Sequence, residues 1–386
     1  MKYLIIGDAG SMHIYNFVRT VLLPKKYEVH ILTLSVLPVR DLYRTFYKEN
    51  GVEIYSVFEQ GYANIKNTDR WHRILNLYRK VRLMKKVPNV DICHVQSVYK
   101  TSMWLVKLFR KKYRHLILSY WGGDIEDRTP SVVALRKSCF SFADCITVTV
   151  RQTYDQFQSL YGHEFDDILC ISRFATEGLS HIKSISAKMT KKDCREYYQI
   201  PEGKICVTCG YSAYAEQHQD ECLRQIERLP SLIRQKLHII IPMQYGNGDE
   251  SYIKCVKEAA QQCGCSYKIL EQFVPFEKSV MLAIATDIYI HVRDTDAFSN
   301  VLKEHVYAGS MIIKGDWLIY RELDEMGAPM ISVRAIDELA GVLESVLKEF
   351  TSSNQIMLFE PMYELYSTGK ICEQWDEIIQ DVLSRN

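Results

Sequence analysis

Short apolar runs rich in Ile, Val, Leu and Tyr alternate with segments of helical period from the first residue onward, and no other feature constrains the fold as strongly. A run that is apolar on both faces needs cover on both sides, so the alternation predicts β–α units wound around a parallel sheet. It comes in two series. The first places strands over residues 2–6, 28–33, 53–57, 91–96, 116–120 and 145–150, with helices over 13–23, 70–86, 101–112 and 132–140. The second places strands over 205–210, 237–241, 267–270, 288–292, 311–313 and 330–333, after which the chain is helical and polar to residue 383, with a break near Pro361. Residues 180–199, polar and Lys-rich, read as a linker with a short helix. The expected fold class is α/β, two Rossmann-like domains facing across a cleft. The expected domains are 1–185, 186–365 and a C-terminal helix over 366–386 that packs back towards the first domain.

With 386 residues the chain is long enough for two full cores. The longest stretch free of Asp, Glu, Lys and Arg is residues 237–248, too short to span a bilayer. The N-terminal apolar run meets Gly7-Asp8 without the core and cleavage site of a signal peptide, so a cytoplasmic protein is expected. Twelve scattered cysteines then read as small buried hydrophobes, Cys206-Val207-Thr208-Cys209 included. Charge is uneven. Residues 1–185 hold 27 Lys and Arg against 17 Asp and Glu, or +10, and the remainder holds 21 against 30, or −9. The basic half is the one expected to meet an anionic partner.

Ligands of doubly wound sheets lie at the carboxyl ends of the strands, so the loops there carry the function. The loop after the first strand, Gly7-Asp8-Ala9-Gly10-Ser11-Met12-His13, lacks the Gly-x-Gly-x-x-Gly spacing of a dinucleotide site. Gly10 and Ser11 can either form a plain strand-to-helix turn or offer N–H groups to a phosphate. A richer segment runs from Asp294 to Ser310. Ser299-Asn300 can cap a helix whose free N–H groups suit a diphosphate, and Glu304, a turn further on, can accept from ribose hydroxyls. Asp296 can do the same for a sugar. Asp294-Thr295-Asp296 also spells the Asp-x-Asp of metal-dependent GT-A transferases, but that fold has one mixed sheet, and no metal is expected here.

The pattern Asp296-x7-Glu304, with Phe298 two residues after the first acid and Ala308-Gly309 after the second, resembles the Glu-x7-Glu region of the retaining GT-B glycosyltransferases of family 4. The resemblance implies that Asp296 lies against the donor sugar, that Glu304 holds the nucleotide ribose, and that Ala297, Phe298, Ser299, Asn300 and Val301 line the donor pocket. Trp121-Gly122-Gly123-Asp124 resembles the Trp-Gly-x-Asp element of the lipid-linked 4-acetamido-4,6-dideoxygalactose transferase group. Gly210-Tyr211-Ser212-Ala213, Gln217-His218 and Pro242-Met243-Gln244-Tyr245-Gly246 resemble the same group, so the likeness runs from about residue 5 to 330. Tyr211, Gln217 and His218 then join the donor side. The chain departs from family 4 in three places, one being the lack of the usual histidine after the fourth or fifth strand of the first domain, where Trp121 stands in the neighbourhood and the base assignment is left open. The first acid is Asp rather than Glu, and residues 210–220 contain no Arg or Lys to neutralise a diphosphate. That leaves backbone N–H groups or a basic residue elsewhere, Arg173 or Lys303.

On the acceptor side the expected residues are His13, Trp121, Gly122, Gly123 and Asp124. Asp124 follows an apolar strand and two glycines, where it is either a general base for the acceptor hydroxyl or a turn residue that shapes its loop. From Lys66 to Arg114 there are 14 Lys and Arg and two acids. Within that stretch Trp71, Ile74, Leu75, Tyr78 and Val81 share one helical face, which either packs on the sheet or meets anionic lipid. No nucleic-acid motif accompanies the charge. The resulting expectation is a metal-independent, retaining glycosyltransferase of hexosyl type. It would move sugar from a nucleoside diphosphate sugar, its substrate rather than a cofactor, to a glycan or a lipid-linked or surface-polysaccharide precursor, peripheral to the inner membrane face. A nucleotide-sugar epimerase of the same fold, or a non-catalytic sugar- or lipid-binding relative, remains open.

Overall fold

The computed structural model describes residues 1–35, 38–57, 70–125, 127–246, 249–296, 298–350 and 355–385. Its first sheet is built in chain order from β1 (Lys2–Gly7), β2 (Glu28–Thr33), β3 (Glu53–Tyr55), β4 (Val90–Gln96), β5 (Tyr113–Tyr120), β6 (Cys145–Val148) and β7 (Leu169–Ile171). In space these run β3-β2-β1-β4-β5-β6-β7, every neighbouring pair parallel. The second sheet comprises β8 (Ile205–Cys209), β9 (Leu237–Pro242), β10 (Ser266–Leu270), β11 (Ile288–His291), β12 (Met311–Gly315) and β13 (Met330–Val333). Its spatial order is β10-β9-β8-β11-β12-β13, again all parallel. Both sheets are therefore doubly wound, with the strand order reversing between β1 and β4 and between β8 and β11, the switch points where such folds hold ligands.

The all-apolar runs form these strands because both faces are covered: every residue of β8, β9 and β11 is buried. Each Ile or Val removed from water contributes about 1.5–3 kcal/mol, which outweighs the modest intrinsic preferences of the chain. β7 is the strand that periodicity misses, a three-residue run that follows the acidic turn Asp166–Ile168.

Contacts divide the chain into one unit of Met1–Phe174 with Gly369–Asn386 and another of Ala175–Thr368. This corrects the boundary expected at residue 185. The helices Glu177–Ser186 and Lys191–Tyr197, expected as linker, pack within the second unit. Their charge is not solvated linker charge. Asp287, buried just before β11, receives Lys191 Nζ at 2.9 Å, the Arg195 guanidinium and the Cys206 N–H at 2.8 Å. A buried carboxylate needs such partners, and they fasten the segment to the base of the sheet. The helix Thr368–Ser384 buries Ile371, Trp375, Ile379 and Val382. Trp375 stacks its edge near Phe17 with centroids 4.8 Å apart, and Asp376 meets Lys25 at 2.8 Å, both in the first unit.

Candidate functional site

β11 ends at His291, and the loop that follows is held from below. The Asp296 side chain is 2% exposed. It accepts from the Ser299 N–H and the Tyr320 hydroxyl, each at 2.8 Å, and from Arg293 at 3.3 Å, with His291 Nε2 at 3.5 Å. Burial would raise its pKa, but His291, the Ser299 N–H and Tyr320 outweigh it and hold the carboxyl down at about 2. Asp296 is thus a brace of its own loop, its ionised form favoured by these partners. Its oxygens are bonded to protein groups, Ser299, Tyr320 and Arg293. Asp294, two residues earlier, bonds His218 at 2.7 Å, so the two carboxylates of the Asp-x-Asp sequence serve different partners.

The helix Asn300–Tyr307 opens from this braced loop. Ser299 caps it by accepting from the Leu302 N–H, and Asn300 accepts from the Thr176 hydroxyl at 3.0 Å. The N–H groups of Asn300 and Val301 have no partner among the described residues. One turn on, Glu304 is 6% exposed, and among the described residues nothing hydrogen-bonds its carboxyl. Burial pushes this group up to about 8, with Lys303 opposing. Gly178 makes room for it: a Cβ there would collide with the Glu304 carboxyl. Phe298 sits at φ 65°, an uncommon conformation for a bulky residue. Its ring is buried against Tyr320 and Tyr366, each 5.3 Å away between centroids, with Lys303 Nζ 4.6 Å from it. Phe298 and Lys303 are therefore packed into an aromatic cluster rather than open to a ligand. Ala297 lies outside the described residues.

The loop after β8 meets this one at the strand switch. Asp294 N–H donates to the Glu216 carbonyl, and Arg293 bonds both the Tyr211 hydroxyl and the Glu216 carboxylate. Sequence reasoning missed Arg293. It stands two residues past β11, paired with Glu216 and Asp296, and its buried Nε has no partner among the described residues. The one available signal was its place two residues past a central strand. Gln217 gives its carbonyl oxygen to the Tyr211 N–H at 3.3 Å, while its buried Nε2 and the nearby Ser212 Oγ have no partner among the described residues. His218 stands between Glu221 at 3.0 Å and Asp294 at 2.7 Å. Partial burial disfavours its charge, but the two carboxylates prevail and raise its pKa. Both ring nitrogens are thereby engaged inside the loops.

In the first unit the expected loops satisfy themselves. Gly10 N–H donates to the Asp8 carboxylate at 2.9 Å, Ser11 N–H to the Asp8 carbonyl at 2.9 Å, and Ser11 Oγ accepts from the His13 N–H at 3.2 Å. The plain turn is thus the reading the geometry supports, and these N–H groups are not offered to a phosphate. Asp124 is 1% exposed and accepts from three backbone N–H groups, Val98 at 2.9 Å, Trp121 at 3.0 Å and Gly122 at 3.1 Å. Burial raises its pKa against those three donors. It staples the β4 and β5 loops together, the geometry of the turn residue that was the other reading of this position. Gly122, at φ 115°, allows that turn. What remains open at this end is aromatic. His13 stacks on Phe174 with centroids 4.0 Å apart and meets Trp121 edge-on at 5.5 Å, all three half-buried, while Gly123 is exposed. Arg173 belongs to this unit and is half-buried.

No protein-family model and no curated protein matches the sequence. Solved structures do match the fold. A glycosyltransferase from Rickettsia africae is similar over all of both chains at TM-score 0.72 and 12% identity. A sucrose-phosphate synthase from Thermosynechococcus elongatus is similar over all of both chains at 0.66 and 12%. HepE of Anabaena, solved with UDP and glucose, is similar over 98% of this chain and 99% of its own at 0.62 and 11%. At such identities the likeness concerns the fold, which is that of the GT-B glycosyltransferases: two Rossmann-like domains in one α/β chain.

Proposed function

We propose that this chain is a glycosyltransferase that moves a sugar from a nucleoside diphosphate sugar to an acceptor. The observation that carries the reading is the nearly buried Glu304 carboxyl, without a hydrogen-bond partner among the described residues, one turn past the Asn300 and Val301 N–H groups, which likewise have none among them. A buried polar group left unpaired costs about 1–3 kcal/mol, and a ligand with vicinal hydroxyls and a diphosphate supplies what each member lacks. In this reading the ribose hydroxyls donate to Glu304. The diphosphate takes the two N–H groups, Ser212 Oγ and Gln217 Nε2, and Arg293 turns its unpartnered Nε to the same oxygens. Transfer breaks the bond between the anomeric carbon and the diphosphate oxygen and forms one to the acceptor oxygen. The acceptor hydroxyl's proton leaves with the diphosphate.

The resemblance to family 4 adds finer expectations: retention at the anomeric carbon, a hexosyl donor and no metal requirement. It also suggests an acceptor that is a lipid-linked or surface-polysaccharide precursor, met by a protein peripheral to the cytoplasmic side of a membrane. No helix among the described residues is long and apolar enough to cross one. The UDP and glucose held by HepE make UDP-glucose the first donor to try. Calorimetric titration with UDP, GDP and ADP, followed by a panel of nucleotide sugars with and without lipid-linked acceptor, tests the reading. Binding of a nucleoside diphosphate that weakens in Glu304→Ala and Arg293→Ala, and sugar transfer only when acceptor is present, is the expected result. Turnover of donor without acceptor would assign an epimerase, and no binding by any diphosphate would remove the proposal.

A further inference from the structure

The helix Arg70–Lys86 wears its apolar stripe outward. Trp71 is 79% exposed and Tyr78 57%, with Ile74 and Leu75 also exposed. Spacings of three, four and seven residues put these four on one face, and they line a common groove there. The residues the helix buries in the first unit are Asn76, Leu83 and Met84. Of the stripe the sequence singled out, Val81 packs against the core of the first unit, while Trp71, Ile74, Leu75 and Tyr78 do not pack on the sheet. The same face continues through exposed Arg82 and Lys85, and the Arg82 guanidinium lies 6.0 Å over the Tyr78 ring. The helix Lys100–Leu108 packs beside it and exposes Trp104 and Leu108, one turn apart, with Lys107 between them in sequence and Lys111 just beyond.

We propose that this face docks on an anionic lipid bilayer. Trp71, Ile74, Leu75 and Tyr78 enter the boundary between headgroups and acyl chains, while Arg82 and Lys85 meet lipid phosphates. The inference goes beyond sugar transfer and stands without it. Three physical points select this occupant. Ile74 and Leu75 gain nothing from a nucleic-acid backbone, which rewards charge alone. A second copy of this face would bring like charges together, since residues 66–114 hold 14 Lys and Arg against two acids. A bilayer offers apolar depth and negative charge in adjacent layers, matching an apolar stripe that runs directly into basic residues.

Sedimentation of the full chain with vesicles of pure phosphatidylcholine, and with vesicles carrying about a third phosphatidylglycerol, tests this. Binding to the anionic vesicles is expected, falling about tenfold or more in Trp71→Ala/Ile74→Ser/Tyr78→Ala and in Arg82→Glu/Lys85→Glu, and weakening with salt. Brominated acyl chains should quench the wild-type tryptophan emission more than that of Trp71→Phe. All substituted side chains are solvent-facing, so circular dichroism and nucleoside diphosphate calorimetry should match wild type. That calorimetry keeps a failure here distinct from a failure of the donor site. Absence of wild-type binding to anionic vesicles, or retention by both variants within about twofold, overturns the proposal. So does a wild-type dimer in analytical ultracentrifugation that these variants dissolve, which would give the face to a second copy.

Discussion

Two buried carboxyls at the carboxyl ends of the two sheets make opposite use of the same environment. Asp124, after β5, and Glu304, on the helix after β11, are both nearly inaccessible, and burial raises the pKa of both. Asp124 is closed by three backbone N–H groups, whereas Glu304 has no partner among the described residues. The first therefore stabilises its loops, and the second keeps bonding capacity in reserve in a unit where Ser212 Oγ and Gln217 Nε2 also lack partners among the described residues. Burial alone does not mark a ligand site; burial without satisfaction does.

The sharpest break of this contrast is Asp124→Ala. It orphans three N–H groups at once, so folding stability should fall by about 2–5 kcal/mol in urea denaturation while nucleoside diphosphate affinity measured on folded protein stays level. Preserved stability would make Asp124 the less committed of the two acids and reopen a catalytic role.

Glu304→Gln should do the reverse. Because the folded-state pKa of Glu304 is raised to about 8, its ionisation is free of cost below its unfolded value near 4.5, and native stability is lost as pH rises from there through about 8. The amide escapes that loss, so the variant should be the more stable protein at pH 8 and nearly equal at pH 4.5. Nucleotide affinity should nevertheless drop by about 1–3 kcal/mol, and wild-type binding should tighten with pH across the same window with proton uptake by the buffer. Calorimetry in buffers of different ionisation enthalpy reads this directly, and a pH-independent affinity would separate Glu304 from the ligand.

Gly178→Ala sharpens the pair from the other side, since the new methyl displaces the Glu304 carboxyl. Both stability and nucleotide affinity should decline by about 1–2 kcal/mol, and the effects should fail to add to those of Glu304→Ala in a double-mutant cycle. The smallest effect belongs to His218. Its raised pKa means that the Glu221 and Asp294 pairs stabilise the fold below about pH 6.5, and that this support is lost as pH rises through the folded value. His218→Gln should flatten that slope by less than about 1 kcal/mol, because the site is part-exposed. A melting-temperature series across pH is sufficient to detect it.

Most of the skeleton was legible in the order of residues. Apolar runs bounded by turn residues became strands wherever both faces could be covered, and β7, a three-residue run directly after the acidic Asp166-Asp167 turn, escaped notice although the equally short β3 did not. The spacing of Asp296 and Glu304 located the loop and helix of the candidate site, because a strand end, a cap and a turn of helix are all set within a dozen residues. Residues whose meaning depends on a distant partner were not legible. Gly178 matters through Glu304, and Arg293 through Tyr211 and Glu216, each across a gap that no local pattern spans.

Sequence by itself determined the two parallel sheets, the segments that end at their carboxyl edges and the excess of positive charge in the first half, since these follow from periodicity and composition over short windows. Tertiary structure alone decided which polar groups are satisfied. It turned Asp296 inward onto Tyr320 and Ser299, spent Asp124 on backbone donors, left Glu304 without a partner among the described residues and set Trp71 and Tyr78 facing water. The physical reason is that hydrogen-bond satisfaction and solvent exposure are properties of what surrounds a side chain. Residues far apart in the sequence supply those surroundings only once the sheets have brought their loops together.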